Sequence, residues 1–431
     1  MRHEFEKRPL EAEGMKTKGN AWDPTVPPEE SPYNHKGDPL LKRRFVKEGA
    51  DSEKGTPTLI DLFSGAGGFS VGFERAGFKT ILGLDIHKAA AETFMRNFPK
   101  AGFILGDARK VSIELVLEAI AGTKPDVITA GVPCQGFSLN NRKRYADDQR
   151  NYLFLEVIRF AEALRPKVLV IENVPGMAST RKRGTDLSFV HEVTFAMEEL
   201  GYEVSHAALN AADYGVPQTR ERIFFVGVEK GLRFEWPEPL LMRPTSSEKP
   251  SYVTVWEAIG DLPPLEPGES KTEYTTEAHS TYARLMRAGA SQLFNHEAPF
   301  HDEATVKRIA NTRPGEPLYE RFKQRIRLDP DRPSPTIVAG GIRPQFFFAH
   351  PFQNRGLTVR EQARLQSFPD TFIFEGGMVQ GRVLTGNAVP PLLAEALAWA
   401  IKQALDGNDL ECGHKNQAKG ARKRALQMAL L

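Results

Sequence analysis

The chain has 431 residues, 40% of them apolar and 26% charged, as in ordinary globular proteins, and this length predicts two domains rather than one core. Its formal net charge of +2 excludes a polycation, so any hold on nucleic acid must come from local basic patches. The two cysteines, Cys134 and Cys412, form no CxxC pair, which excludes a disulfide framework and a cysteine-based zinc knuckle, and no metal site is expected. A reducing, cytoplasmic setting is expected. There is no apolar run of 18 residues and no signal-like N-terminus, so neither export nor a membrane span is predicted.

Residues 1–55 mix balanced charges with Pro and Gly and read as a flexible extension. Over 56–228 the pattern becomes regular. Strand-like runs are predicted at Thr58–Leu62, Thr80–Leu84, Phe103–Leu105, Val127–Ala130, Val168–Ile171, Glu203–Leu209 and Ile223–Val228. Helical patterns fall between the first six, at Ala89–Phe98, Ile113–Ile120, Tyr152–Leu164 and Phe189–Leu200. This alternation predicts an α/β fold with a mainly parallel, doubly wound sheet. No helix separates the last two runs, so the final strand is expected to turn back antiparallel. Residues 229–350 are rich in Pro, Glu and Arg, with short periodic segments at Val253–Ile259 and Ala304–Ile309, and read as a smaller, loop-rich second domain. Regular structure resumes at Thr358–Gln366 and Pro391–Leu405, in a segment, 351–405, expected to return to the first domain. Residues 406–431 read as a basic tail.

Polar and reactive residues collect where the predicted parallel strands end. Asp61, Phe63 and the turn Gly65-Ala66-Gly67-Gly68 follow the first run, and Asp85 ends the second. Asp107 follows the third, Gly131-Val132-Pro133-Cys134-Gln135-Gly136 the fourth, and Glu172-Asn173 the fifth. Open α/β sheets bind ligands along this edge. The turn fits neither a P-loop nor G-x-G-x-x-G. Asp85 lies 24 residues beyond Asp61, near the roughly 20-residue offset of a ribose-binding acid. Asp107 could accept from an adenine amino group. Each acid alone reads equally as a helix N-cap, but together they describe an adenosine-containing cofactor without a triphosphate. Most free cysteines are small buried hydrophobes. Cys134, at the ligand edge in a Gly- and Pro-framed loop, reads instead as a nucleophile. Glu172 ends a buried run, where a raised pKa would let it act as an acid near neutrality.

These strings, in this order, resemble the bacterial DNA (cytosine-5) methyltransferases. The resemblance runs through nearly all of 57–405. It is carried by Asp61-Leu62-Phe63-Ser64-Gly65-Ala66-Gly67-Gly68, by Gly131-Val132-Pro133-Cys134-Gln135-Gly136-Phe137-Ser138 with Asp148 to Phe154, and by Glu172-Asn173-Val174. Gln218-Thr219-Arg220-Glu221-Arg222, Leu357 to Pro369 and Gly386-Asn387-Ala388-Val389-Pro390-Pro391 complete it. Before Gly386 the family commonly has Gln-Ile, whereas this chain has Leu384-Thr385.

The resemblance implies methyl transfer from S-adenosyl-L-methionine to carbon 5 of a cytosine flipped out of double-stranded DNA. Cys134 would attack carbon 6, Glu172 would act at N3 and the N4 amino group, and Arg222 would hold the O2 carbonyl. Arg222 alone could read as half of a surface ion pair, but its place just before the buried apolar strand Ile223–Val228 argues for the site. For the cofactor, Asp61, Phe63, Gly65, Gly67 and Gly68 would form its loop, Asp85 would hold the ribose, Asp107 the adenine, and Asn387 and Val389 would close the pocket. DNA contacts are expected from Gln135, Ser138, Arg142, Arg144 and Arg220, with Gly340 and Gly341 allowing close approach. Residues 307–327 carry seven Lys or Arg against two Glu, a phosphate-binding stripe or simply a solvated face. The family setting implies a monomer and a restriction endonuclease acting on the same site without direct contact. Two rivals stand beside this reading: the same chemistry on transfer RNA, and a non-catalytic DNA-binding protein on the same fold. Val132-Pro133-Cys134 and the long intervening region disfavour the first. The joint presence of Cys134, Glu172 and Arg222 disfavours the second.

Overall fold

The computed structural model describes residues 31–47, 55–133, 152–179, 188–241, 252–339 and 348–407. Its centre is an eight-stranded sheet. In chain order the strands are β1 (Leu40–Arg43), β2 (Thr58–Leu62), β3 (Lys79–Asp85), β4 (Gly102–Leu105), β5 (Val127–Gly131), β6 (Val168–Asn173), β7 (Tyr202–Asn210), a short β8 (Gln218–Thr219) outside this sheet, and β9 (Glu221–Glu229). Their order across the sheet is β1-β4-β3-β2-β5-β6-β9-β7. Strands β4, β3, β2, β5 and β6 are parallel, while β9 runs antiparallel between β6 and β7. The expected α/β class, mainly parallel sheet and antiparallel last strand are therefore all present.

The strands read as unbroken apolar runs because both faces are covered. Leu59, Val168, Val170, Phe224 and Val226 point into one core layer, and their neighbours Ile60, Leu169, Ile171 and Phe225 into the other. The first layer is closed by α1 (Gly68–Arg75) and the last helix, through Phe69, Phe73, Leu393, Leu397 and Ile401. A third cluster, around Phe94, Phe98 and Phe103, seats α2 (Lys88–Asn97) beside them. The opposite layer is closed by α3 (Ile113–Ala119), α4 (Phe154–Leu164) and α6 (Phe189–Glu199), with a one-turn α5 (Gly176–Ser179) between. Each buried Phe, Leu, Ile or Val contributes roughly 1.5–3 kcal/mol. Helix starts follow the chemistry of their caps: His87 Nδ1 accepts from Ala90 N at 3.3 Å, and Ser112 Oγ from Leu115 N at 3.2 Å.

The later part contains α7 (Val255–Ile259), α8 (Thr281–Arg287) and α9 (Glu303–Ala310), with two-residue strands β10 (Ile326–Arg327), β11 (Ser334–Pro335) and β12 (Phe348–Ala349). Helices α10 (Val359–Leu365), α11 (Gly377–Asn387) and α12 (Pro391–Leu405) follow. Thr254 with Glu257 and Thr358 with Glu361 form capping boxes that start α7 and α10. Helix α12 lies against α1 at very short range. A Cβ on Gly72 would stand 2.5 Å from Ala394 Cβ, and Arg75 Nε meets Glu395 Oε2 at 2.7 Å.

The N-terminal segment departs from the expected flexible extension over 31–47. Strand β1 pairs antiparallel with β4, Leu40 opposite Leu105. Arg43 donates to the carbonyls of Met95, Phe98 and Ala101, closing the C-terminal end of α2, and Phe45 is buried. Four residues flanked by Pro and charge carry no periodicity. What holds them is this long-range anchoring.

Candidate active site

The sheet brings the singled-out residues to one edge. Gly131, the last residue of β5, lies in register with Glu172 in β6. An atom added at the Gly131 Cβ position would stand 3.8 Å from the Phe63 carbonyl oxygen and 3.9 Å from Glu172 Oε2. Three segments far apart in sequence thus meet within a few ångströms, and Cys134 follows Gly131 by three residues. The next residue of β6, Asn173, holds this junction. It is buried, accepts from Val174 N at 2.8 Å, and donates from Nδ2 toward the Val132 carbonyl at 3.5 Å.

Glu172 is 8% exposed, and Arg222 Nε stands 2.9 Å from its Oε1. Burial raises the pKa of Glu172, while the nearby Arg222 and Arg220 oppose that rise. The net effect is upward, so this carboxyl takes up a proton more readily than an exposed one, with a cation at its side. Arg222 lies in β9 opposite Leu209 of β7, and the sheet fixes it beside Glu172.

The Gly-rich turn is held from the neighbouring strand. Gly65 N donates to Asp85 Oδ2 and His87 N to Asp85 Oδ1, both at 2.8 Å. Burial pushes the Asp85 pKa up, and these N–H donors offset part of the rise. Phe63, at φ 53°, takes a left-handed conformation unusual for a non-glycine residue, as the chain turns off β2. Gly65 and Gly67 also have positive φ.

Other residues of the expected cofactor set have protein partners. Asp61 is sealed beneath the turn, 1% exposed, accepting from Ser70 Oγ at 2.8 Å and Thr129 Oγ1 at 3.1 Å. It shapes the turn from below, away from the open edge. Asp107 caps the short turn after β4 and accepts from Arg109, whose Nη2 stands 2.5 Å from Oδ2. Burial would raise its pKa, but the Arg109 hydrogen bonds and charge outweigh this and hold it low. Gly68 serves packing, since a Cβ there would stand 2.1 Å from the Val389 carbonyl oxygen. Val389 is buried against that turn, and Asn387 is exposed at the end of α11. Thr385, at the position that departs from the family pattern, donates to Gln362 Oε1 at 3.2 Å and so makes a satisfied buried contact.

One expected DNA contact is corrected. Arg220 is 2% exposed, and its guanidinium donates to the carbonyls of Ile337, Gly386 and Ala388. It ties the end of the second region and the α11–α12 junction to the sheet, and cannot reach a phosphate from there. Gln218, two residues before it, does the same. It donates to Leu365 O and Gln366 Oε1 and accepts from Ile337 N. A charged and an amide side chain next to a buried strand were the available signal. Cys134, Gln135, Ser138, Arg142, Arg144, Gly340, Gly341 and Cys412 lie outside the described residues. Among the described residues there is no His, Cys, Asp or Glu group suited to a metal ion. No helix among them is long and apolar enough to cross a membrane.

A mainly parallel sheet of this topology, with a buried carboxyl and arginine pair at the edge beside a Gly-rich turn, defines a Rossmann-like α/β architecture. The family model of the C-5 cytosine-specific DNA methylases matches residues 58–403, and the chain belongs to that family as a DNA (cytosine-5) methyltransferase. It is 38% identical over 356 residues to the type II methyltransferase M1.HphI of Haemophilus parahaemolyticus, covering 80% of this chain and 86% of that protein. It is 35% identical over 404 residues to M.DdeI of Desulfomicrobium norvegicum, covering 86% and 94%. Among solved structures, it is similar to a prophage-encoded DNA modification methyltransferase candidate of E. coli, with a TM-score of 0.66 at 27% identity over 82% of this chain and all of that one.

Proposed function

We propose that the enzyme uses S-adenosyl-L-methionine and carries out its reaction at the edge where Gly131, Glu172 and Arg222 meet. The observation that carries this is the buried Glu172–Arg222 pair, 2.9 Å apart, in register with the strand that leads into Cys134. The Cys134 thiolate adds to carbon 6 of cytosine and turns carbon 5 into an enamine-like nucleophile. Charge pushed onto the ring is met at N3 by Glu172, whose burial favours the protonated form needed to donate there. Arg222 holds Glu172 in place and offers its remaining N–H groups to the O2 carbonyl. Once carbon 5 bears the methyl group, water takes its proton, the C6–S bond breaks to release the Cys134 thiolate, and N3 returns its proton to Glu172.

The edge fits the proposed cofactor. Asp85 would accept from ribose hydroxyls, and Phe63 and the Gly65 turn border the opening, so that an acid and an aromatic ring stand where a sulfonium would lie. When bound, that cofactor supplies an electrophilic methyl group. Asp107 would reach an adenine amino group only by sharing its carboxylate with Arg109. Asn387 and Val389 would border the pocket from the C-terminal side. Gln135, Ser138, Arg142 and Arg144, with Gly340 and Gly341, would meet the DNA. The type II names of the relatives support a restriction-modification setting. Within this proposal the enzyme is a cytoplasmic monomer, and an endonuclease cuts the same site without contacting it.

Trapping tests the mechanism. In duplex DNA containing 5-fluorocytosine, with S-adenosyl-L-methionine present, the methylated carbon 5 carries a fluorine in place of the proton that must leave, so a covalent adduct should persist with the wild type and be absent with Cys134→Ser. An adduct of normal yield with Cys134→Ser would remove Cys134 from the mechanism. Glu172→Gln should lower kcat at least a hundredfold while changing DNA affinity little, because it acts on the transition state. Equal losses in both would assign it to binding instead.

A further inference from the structure

The family match begins at residue 58, yet residues 33–39 run beside the ligand edge, from the end of β3 to the end of β4. His35 N donates to Ile86 O at 2.9 Å and Lys88 N to Tyr33 O at 3.0 Å, with Asn34 bridged to His87. The segment therefore pairs with the three residues that follow Asp85. Tyr33 stacks on the His87 ring, with centroids 6.3 Å apart and planes 17° from parallel. At the other end Pro39 presses on Gly106, the residue before Asp107. A Cβ on Gly106 would stand 2.9 Å from both Pro39 Cα and Cβ. Between these contacts His35 Nε2 closes a compact turn on Asp38 O at 2.8 Å. Behind it, β1, the three-carbonyl hold of Arg43 and the buried Phe45 anchor the segment to the sheet.

The strap thus spans from beside Asp85 to beside Asp107, the two acids at the ends of adjacent strands. We propose that Tyr33–Pro39 forms the outer wall of the adenosine half of the cofactor site and sets the affinity for the nucleoside. This rests on the reading of Asp85 and Asp107 as the adenosine end. A segment pinned at both ends beside that edge restricts how a purine and ribose enter, and excludes water from their outer side. Edge cover alone would require β1 against β4. It would not require the further seven residues across the ends of β3 and β4.

The test uses the full chain, a variant lacking residues 1–38 that retains β1, and Tyr33→Ala. Calorimetry measures binding of S-adenosylhomocysteine, and competition measures adenosine itself. The truncation should raise Kd about tenfold for both ligands and by the same factor, with Tyr33→Ala raising both about threefold. Hydrogen exchange in the full chain should slow across residues 33–38 when S-adenosylhomocysteine binds. Kd values within twofold of the full chain for Tyr33→Ala and the truncation, or unchanged exchange, would reduce the strap to edge cover. If the truncated chain does not fold, Tyr33→Ala and the exchange experiment decide. Asp85→Asn separates the two layers of the argument. If it weakens S-adenosylhomocysteine while the strap variants do not, the strap alone fails. If it too leaves Kd unchanged, the placement of the adenosine end fails.

Discussion

Two arginines two positions apart in one short motif have opposite fates. Arg222 sits in β9 and pairs with Glu172 at the edge, whereas Arg220 precedes the strand and spends its charge on three backbone carbonyls. Composition and spacing could not separate them, because the difference lies in which way the chain enters the sheet. Asp61 is a third case of a polar residue whose environment decides its role. Its carboxyl is wholly buried, and burial pushes its pKa up to about 7, only partly offset by hydroxyl donors from Ser70 and Thr129. A carboxyl with a raised folded-state pKa contributes stability that is fully present below its ordinary value of 3.8 and is lost as pH rises through 7. The loss is roughly 4 kcal/mol across that window, at about 1.4 kcal/mol per pH unit. Asp61→Asn should therefore remove much of the decline in urea midpoint between pH 5 and pH 8. At pH 8 the variant should be at least as stable as the parent. Parallel pH profiles for the two proteins would show that Asp61 ionises freely in the fold.

At the scale of elements, the packing of α1 against α12 depends on glycines that do different work. Gly68 must be small because the Val389 carbonyl occupies the space its Cβ would need. Gly65 has open space around it, and only its φ of 53° disfavours a side chain. Gly68→Ala should cost upwards of 2–3 kcal/mol by forcing the helices apart, and Gly65→Ala about 1 kcal/mol of backbone strain. Thermal denaturation of the two variants checks the order, and equal or reversed shifts would count against this account of the packing. The same contrast explains what could be read in advance. Strands β2 to β6 and helices α2, α3, α4 and α6 were legible to within a residue or two, because burial on both faces makes a strand a continuous apolar run and burial of one face gives a helix its 3.6-residue period. Helix α11 was not. It carries Gly377, Gly381 and Gly386, where Gly381 must clear Val359 and Gly386 must clear the backbone of Ala339. Close approach was bought there at about 1 kcal/mol of helix propensity per glycine, and this erased the pattern. The ends of the parallel strands showed where a site would form. Its closure could not be read: the strap over 33–39, the Asn173 contact with Val132 and the carbonyl partners of Arg220 are all long-range, and single side chains carry no trace of them.

At the scale of the whole molecule, the 252–339 region is joined to the C-terminal helices by buried charge. Arg364 of α10 donates to both oxygens of Asp370, its Nη2 at 2.6 Å from Oδ2, and also to Asp261 just after α7 and to the carbonyl of Ala258 within that helix. Arg360 of the same helix holds the carbonyls of Phe294, Pro369 and Phe372. Arg355 pairs with Glu361 at 2.7 Å, and its Nε donates to Leu265 O. Such pairs are poor sources of net stability, because desolvation consumes most of the attraction, but removing one partner is severe. The attraction of Asp370 and Asp261 more than offsets the burial cost to the Arg364 charge, so the fold holds that guanidinium protonated. Arg364→Met would keep the volume and leave two buried carboxylates without their closest cation, at a cost of about 3–5 kcal/mol. Because Asp261 belongs to the second region and Asp370 to the C-terminal segment, the loss falls on the joint between them. Scanning calorimetry should therefore show one cooperative transition for the parent. For Arg364→Met it should show two, with the 252–339 region melting first. A single transition with an unshifted midpoint would mean that Gln218, Arg220 and the other contacts hold the two regions together without Arg364.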